Sequence, residues 1–130
     1  MDGTTPSALV GQRNKLIGRL HEQRFFRVMD WRNWSFPSWY LGTTPATPEQ
    51  DRHGIDAVVE LDVISVPIQI KSSAQGKSDH TRQHHAHCGL GEYTIVVIIV
   101  QDVYTDEMIR TDTLSMVFQK RERFFKEARR

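Results

Sequence analysis

The chain has 130 residues, enough for one compact domain around a single core, and its apolar and charged fractions are ordinary for a soluble globular protein. Its longest apolar run, Thr94 to Val100, is too short to span a membrane. With Cys88 as the only cysteine there is no intramolecular disulfide, and the start MDGTTPSALVGQ lacks the features of a signal peptide, so the expected compartment is a reducing cytoplasm. The net charge of +1 hides a basic end: Lys120 to Arg130 holds six basic and two acidic residues, a solvated helix face or a surface for polyanions.

Residues 1–7 read as a loose tail, with Ser7 as the cap of a helix running to about Met29. Leu9, Leu16, Ile17, Leu20 and Val28 fall near helical spacing on one side. Glu22 borders that stripe, and spacing alone leaves it either facing inward or paired with a surface arginine. The stretch WRNWSFPSWY leads into a first strand over Trp39 to Thr43. Its tryptophans, Trp31, Trp34 and Trp39, are either a platform for stacked bases or, more commonly, filling for a small core. Thr43 to Arg52, with two prolines, reads as a loop.

The next segment, GIDAVVELDVISVPIQIK, carries period-two alternation in two runs joined by Asp62-Val63-Ile64-Ser65 and therefore predicts a β-hairpin. A turn centred there sets Asp56 opposite Lys71 and Val58 opposite Gln69. One face is then apolar, and the other carries Asp56, Gln69 and Lys71. An acid, an amide oxygen and a lysine on a rigid sheet edge are a set that can bind a divalent metal and position a water. A weak cross-strand salt bridge is the plainer reading of Asp56 and Lys71. Two other carboxylates compete: Glu60 at the turn end suits a solvated role, and Asp51 suits loop capping.

After the polar loop SSAQGKSD, a helix is expected from Ser78 or Asp79 to about Cys88, stopped by Gly89-Leu90-Gly91. It carries His80, His84, His85 and His87, of which His80, His84 and His87 share a face. That spacing suits zinc, but no complementary CxxC or HExxH accompanies it. GEYTIVVIIV does not alternate and reads as a fully buried strand. Asp102 to Asp112 connects it to a last helix, capped by Thr111, Asp112 or Thr113, with Leu114, Val117, Phe118, Phe125 and Ala128 as its apolar stripe.

The order helix, three strands, helix, strand, with Glu22 on the first helix, GID at Asp56 and QIK at Gln69 and Lys71, resembles the PD-(D/E)XK nuclease superfamily over roughly residues 10–101. The resemblance implies an α/β restriction-endonuclease-like core, a mixed four-stranded sheet flanked by helices, here with an added C-terminal helix. It implies a Mg²⁺- or Mn²⁺-dependent endonuclease acting on DNA, as a homodimer. Asp56, Gln69, Glu22 and the Ile70 backbone carbonyl would hold the metal, and Lys71 would complete the catalytic set. Ser72, Gln83 and His84 are candidate phosphate contacts. Gln69 stands where the family name has an acid, as in Mrr-like members, so the hairpin is one charge short. Glu22 would supply the missing carboxylate, as the helix glutamate does in resolvase-like members. The alternatives are a Holliday-junction-type resolvase, or a non-cutting nuclease fold that binds nucleic acid or protein.

Overall fold

A computed structural model describes residues 6–72 and 95–129. The elements run α1 (Pro6–Val28), β1 (Tyr40–Pro45), α2 (Pro48–Arg52), β2 (Ala57–Leu61), β3 (Ser65–Lys71), β4 (Val96–Ile99) and α3 (Asp106–Ala128). The protein is α/β, with one four-stranded mixed sheet in the order β1-β2-β3-β4. β1, β2 and β3 are antiparallel neighbours, and β4 joins β3 in parallel. Among the described residues no helix is long and apolar enough to cross a membrane. The expected helix from Ser78 or Asp79 to Cys88, with its histidines, lies outside the described residues, as do Gly89-Leu90-Gly91.

The hairpin forms, with its register two residues away from the expected one. Ala57 pairs with Ile68, Val58 with Pro67 and Val59 with Val66. The reason is the turn. Leu61 N–H donates to the Ile64 carbonyl at 2.8 Å, so Asp62 and Val63 alone make the bend. Asp62 is held there from outside: Arg121 of α3 grips its carboxylate with two hydrogen bonds, at 2.9 and 2.8 Å. A shift by an even number keeps every side chain on its expected face, because the strand period is two. It does move the strand ends, and the site depends on that.

One face of the sheet carries Ala57, Val59, Leu61, Val66, Ile68, Ile70, Val96 and Ile98, and α1 and α3 both pack on it. Helix α1 contributes Phe25 and Val28, with Met29 just beyond its end, and α3 contributes Ile109 and Val117. This corrects the expected stripe of α1: Leu16 is 56% exposed and Leu20 53%. The side chain of Leu9 lies outside the described residues. Among the described side chains of α1, those buried against the sheet come from its last turn, Phe25 and Val28, with Phe26 partly buried beside them.

The ends of the elements also differ from expectation. Ser7 lies within α1 rather than capping it. Helix α3 begins before Thr111-Asp112-Thr113, because Thr105 caps it by accepting the Met108 N–H at 3.1 Å, with Asp106 and Glu107 in the first turn favouring the helix dipole. Thr113 is buried inside α3 and returns its hydroxyl to the Ile109 carbonyl. The segment expected as a loop, Thr43–Arg52, begins inside β1, which pairs with β2 as far as Pro45, and then contains α2, closed by a capping box in which Thr47 accepts from the Gln50 N–H and Gln50 accepts from the Thr47 N–H.

Arg24 ties α1 to the start of α3. Its guanidinium donates to Asp106 Oδ1 at 2.9 Å, to the Gln101 carbonyl at 2.9 Å and to the Tyr104 carbonyl. Removing it leaves two carbonyls without their charged donor and Asp106 with only the more distant Arg27, at 3.7 Å. Charge-assisted hydrogen bonds are worth about 1.5–3 kcal/mol each and are not additive. Arg24→Ala is therefore expected to lower stability to urea by about 2–4 kcal/mol, read from the shift in midpoint at unchanged slope. An effect under about 0.5 kcal/mol would show that the tie contributes nothing.

Candidate functional site

Strand β3 outruns β2. The ladder between them ends at Ala57 and Ile68, and residues 69–71 continue alone, paired on their other side with Val97, Ile98 and Ile99 of β4. The sheet therefore has a notch beside Ile70, and Asp56 fills part of it. Gly54, at φ 83°, allows the turn that delivers Asp56 from α2. Its backbone is fixed on both sides, by the Ile68 carbonyl at 2.8 Å and the Ala46 N–H at 3.2 Å. Its carboxylate then takes the place of a neighbouring strand: Oδ2 accepts the Ile70 N–H at 2.7 Å.

This geometry also aims the Ile70 carbonyl. In an extended strand the N–H and C=O of one residue point to the same side. Lys71 points its carbonyl to β4, where it accepts the Val100 N–H at 2.8 Å. Ile70 is therefore turned the other way, toward Asp56 and the notch. Its carbonyl lies beyond Ala57, the first residue of β2, where the β2–β3 ladder has ended.

Gln69 and Lys71 share the second face of the sheet with Val97 and Ile99, their β4 partners. That face was expected to be open and polar. Instead Val58, Gln69, Val97 and Ile99 are all buried, as strands of a parallel pair usually are on both faces. Gln69 is 8% exposed, and its Oε1 has no hydrogen-bond partner among the described residues. A buried amide oxygen without a donor costs about 1–3 kcal/mol, so a partner supplied from outside would be favoured.

The carboxylates converge on this place electrostatically. Burial pushes the Asp56 carboxyl above its usual range, against the Ile70 N–H, which lowers it; the negative charge of Asp51 adds to the rise and the nearby Lys71 ammonium opposes it. Glu22, partly buried on α1, is likewise raised, first by burial and then by the charges of Asp56 and Asp51, with Arg19 opposing. Asp51 is the residue that sequence reasoning undervalued. Its expected capping task is done by Thr47 and Gln50, which leaves the Asp51 charge acting on both other carboxylates. Glu60 is at the far end of the hairpin, where Ser65 donates its hydroxyl to it, as expected of a turn residue.

Several other candidates stand apart. Gln83 and His84 lie outside the described residues. Trp39 packs against the core and Phe118. Trp31 is 64% exposed, and with Leu41, Gly42 and Glu60 it lines a cleft at the end of β2 far from Asp56. The guanidinium of Arg110 stacks on Trp34 at 4.0 Å. In the basic C-terminal stretch, Arg121 is committed to Asp62 and Arg123 pairs with Glu127 at 3.1 Å.

Among the described residues no three His, Cys, Asp or Glu side chains form a metal-binding group. The oxygens at and beside the notch are mixed: the carboxylate of Asp56 and the carbonyl of Ile70 at the notch, the buried amide of Gln69 one residue earlier on the second face of the sheet, and Glu22 close enough for its charge to interact with that of Asp56. All are hard oxygens, the chemistry that Mg²⁺ and Mn²⁺ prefer. The unpartnered Gln69 Oε1, and the carboxyls of Asp56 and Glu22, each raised by burial and by neighbouring negative charge, are what a cation would relieve. Comparison of the chain with protein-family models, with curated proteins and with solved structures finds no match.

The raised carboxyls predict a pH signature. The folded protein holds these protons to higher pH than the unfolded chain, so their contribution to stability is full below the ordinary carboxylate range and is lost as pH rises through the raised values. In metal-free buffer, Asp56→Asn and Glu22→Gln should gain melting temperature relative to wild type as pH rises above the ordinary carboxylate range. Mn²⁺ should close that gap by stabilising wild type alone. Parallel melting curves for wild type and variants across that rise in pH would contradict the electrostatic account.

Proposed function

We propose that the chain is a metal-dependent endonuclease that hydrolyses phosphodiester bonds in DNA, built on a restriction-endonuclease-like core. The observation that carries this reading is the notch. Asp56 stands just before the start of β2, the Ile70 carbonyl faces it, Gln69 and Lys71 come from the overhanging end of β3, and α1 brings Glu22 within electrostatic reach. The four-stranded mixed sheet, with its first three strands antiparallel and the fourth parallel to the third, is compatible with that core.

In this reading Asp56, Gln69, the Ile70 carbonyl and Glu22 hold Mg²⁺ or Mn²⁺. When bound, such an ion polarises a phosphate oxygen and lowers the pKa of a bound water. The chain's own groups do the rest. Asp56, fixed through its backbone and through Ile70, supplies a carboxylate that needs little reorganisation. Lys71, close enough to Asp56 for their charges to interact, orients the attacking water and offsets the negative charge that develops on the phosphorus oxygens. One notch serves one strand, so cutting a duplex calls for a homodimer. A junction resolvase would use the same chemistry on branched DNA.

Gln69 supports a second reading, a nuclease-like fold that binds nucleic acid or a protein without cutting, because an amide brings no charge to the cation. The two readings separate in one set of assays. Wild type should nick supercoiled plasmid with Mg²⁺ or Mn²⁺, and branched DNA tests the resolvase form. Lys71→Ala should lose about 10²–10³-fold in rate while keeping calorimetric Mn²⁺ binding, and Asp56→Asn should lose both. A wild type that binds no Mn²⁺ and cuts nothing rules out the enzyme, and so does a Lys71→Ala protein that cuts at full rate.

A further inference from the structure

We propose that His21 and Ser72 form a phosphate-binding pair beside the notch, with Ser72 donating its hydroxyl to a non-bridging oxygen of the DNA backbone and His21 positioning that hydroxyl. The proposal rests on the nuclease reading and names how its substrate is gripped. Ser72 directly follows Lys71, and it is exposed. It is held from two directions. Gln101 Nε2 donates to its carbonyl, and the His21 Nδ1 is 2.8 Å from its Oγ. These partners come from α1 and from the residues after β4, so the chain leaving β3 is fixed by contacts distant in sequence.

A solvated surface serine ordinarily rotates its hydroxyl freely. This one has a ring nitrogen on one side and solvent on the other, and the ring is itself 12% exposed and therefore packed in place. With the proton on Nδ1, His21 donates into an Oγ lone pair, and the single hydroxyl proton is left to point outward at an anion. Asp102 does not oppose that tautomer. Its carboxylate is 3.8 Å from Nε2, beyond hydrogen-bond distance, and 98% exposed, so water screens it. Glu22 is the next residue on α1, so the helix that brings a carboxylate to the notch also brings the imidazole to Ser72.

The experiment uses the full chain and a labelled duplex oligonucleotide, with Ca²⁺ for binding and Mg²⁺ for cleavage. Ser72→Ala and His21→Ala should each weaken binding about tenfold or more and raise KM while leaving kcat within about twofold. The double variant should be no worse than either single one, since the two groups act as one unit. His21→Asn, whose amide N–H can stand where Nδ1–H stands, should recover most of the affinity. Thermal melting of each variant reports on folding separately, and loss of kcat together with melting temperature would mark a merely structural contact and overturn the proposal. A wild type that cleaves, with both alanine variants unchanged in KM, overturns it while leaving the nuclease reading intact. A wild type that neither binds nor cleaves either this duplex or a branched DNA ends both.

Discussion

The site exists because β2 stops pairing with β3 before β3 ends, and because a carboxylate takes over where the backbone leaves off. A strand end normally wastes hydrogen-bonding capacity, since the overhanging partner is left with unpaired N–H and C=O groups. Here Asp56 Oδ2 accepts the Ile70 N–H at 2.7 Å, so the donor is satisfied without a further residue of β2. The carbonyl of the same residue is not satisfied in that way. A single side chain thus ends the ladder, holds the overhang in register and leaves an oxygen facing the gap. The two-residue turn at Asp62 and Val63 decides where this happens, and Arg121 on α3 secures that turn through Asp62. The C-terminal helix therefore helps set the position of a site at the other end of the hairpin.

Concentrating carboxylates in such a gap works against stability. Burial and like charge both push Asp56 and Glu22 upward, and nothing about folding alone rewards that arrangement. It persists because the surrounding structure is fixed by other contacts. The first face of the sheet is closed by α1 and α3 together, and Arg24 locks α1 against the residues that lead into α3. Perturbed carboxyls in a partly buried setting are common at functional sites, and ion-pair networks also produce them. What distinguishes this case is the sign of the neighbours. Asp56 has Asp51 as well as Lys71 near it, and Glu22 has two acids against one arginine, so the local balance asks for added positive charge.

The hairpin and its faces were legible because strand alternation survives any even shift of register. Its exact register was not, since Asp62-Val63-Ile64-Ser65 accommodates both a tight and a wide turn, and the contact that accompanies the tight one, Arg121 on Asp62, comes from fifty-nine residues away. Of the expected stripe of α1, Val28 is buried while Leu16 and Leu20 are exposed, and Phe25 and Met29 are the residues that join Val28 in the core. Periodicity marks which positions share a face and says nothing about how far along a helix its neighbour extends. Helix α2 had a visible signal in Thr47 and Gln50, a capping box three residues apart with proline between, overlooked because the helix is a single turn and a half. The role of Asp51 had no local signal at all. It follows from the turn at Gly54, which folds α2 back beside Asp56.

Gln69 appears at first to be a defect, an amide where an acid would bring charge to a cation. The burial of its position argues otherwise. Its strand partner is Val97, its exposure is 8%, and Asp56 ends the adjacent ladder one residue away. An acid placed there would face the same desolvation that raises Asp56 and Glu22, with their charges added to it, and would hold its proton until a cation arrived. The extra charge would then have to be created during binding, at the expense of affinity near neutral pH. A glutamine offers a hard oxygen at every pH and adds no repulsion to the folded protein. The other carboxylates near Asp56, Glu22 and Asp51, stand on elements outside the sheet, α1 and α2. In this fold an amide at the centre and carboxylates at the rim is the division that burial favours.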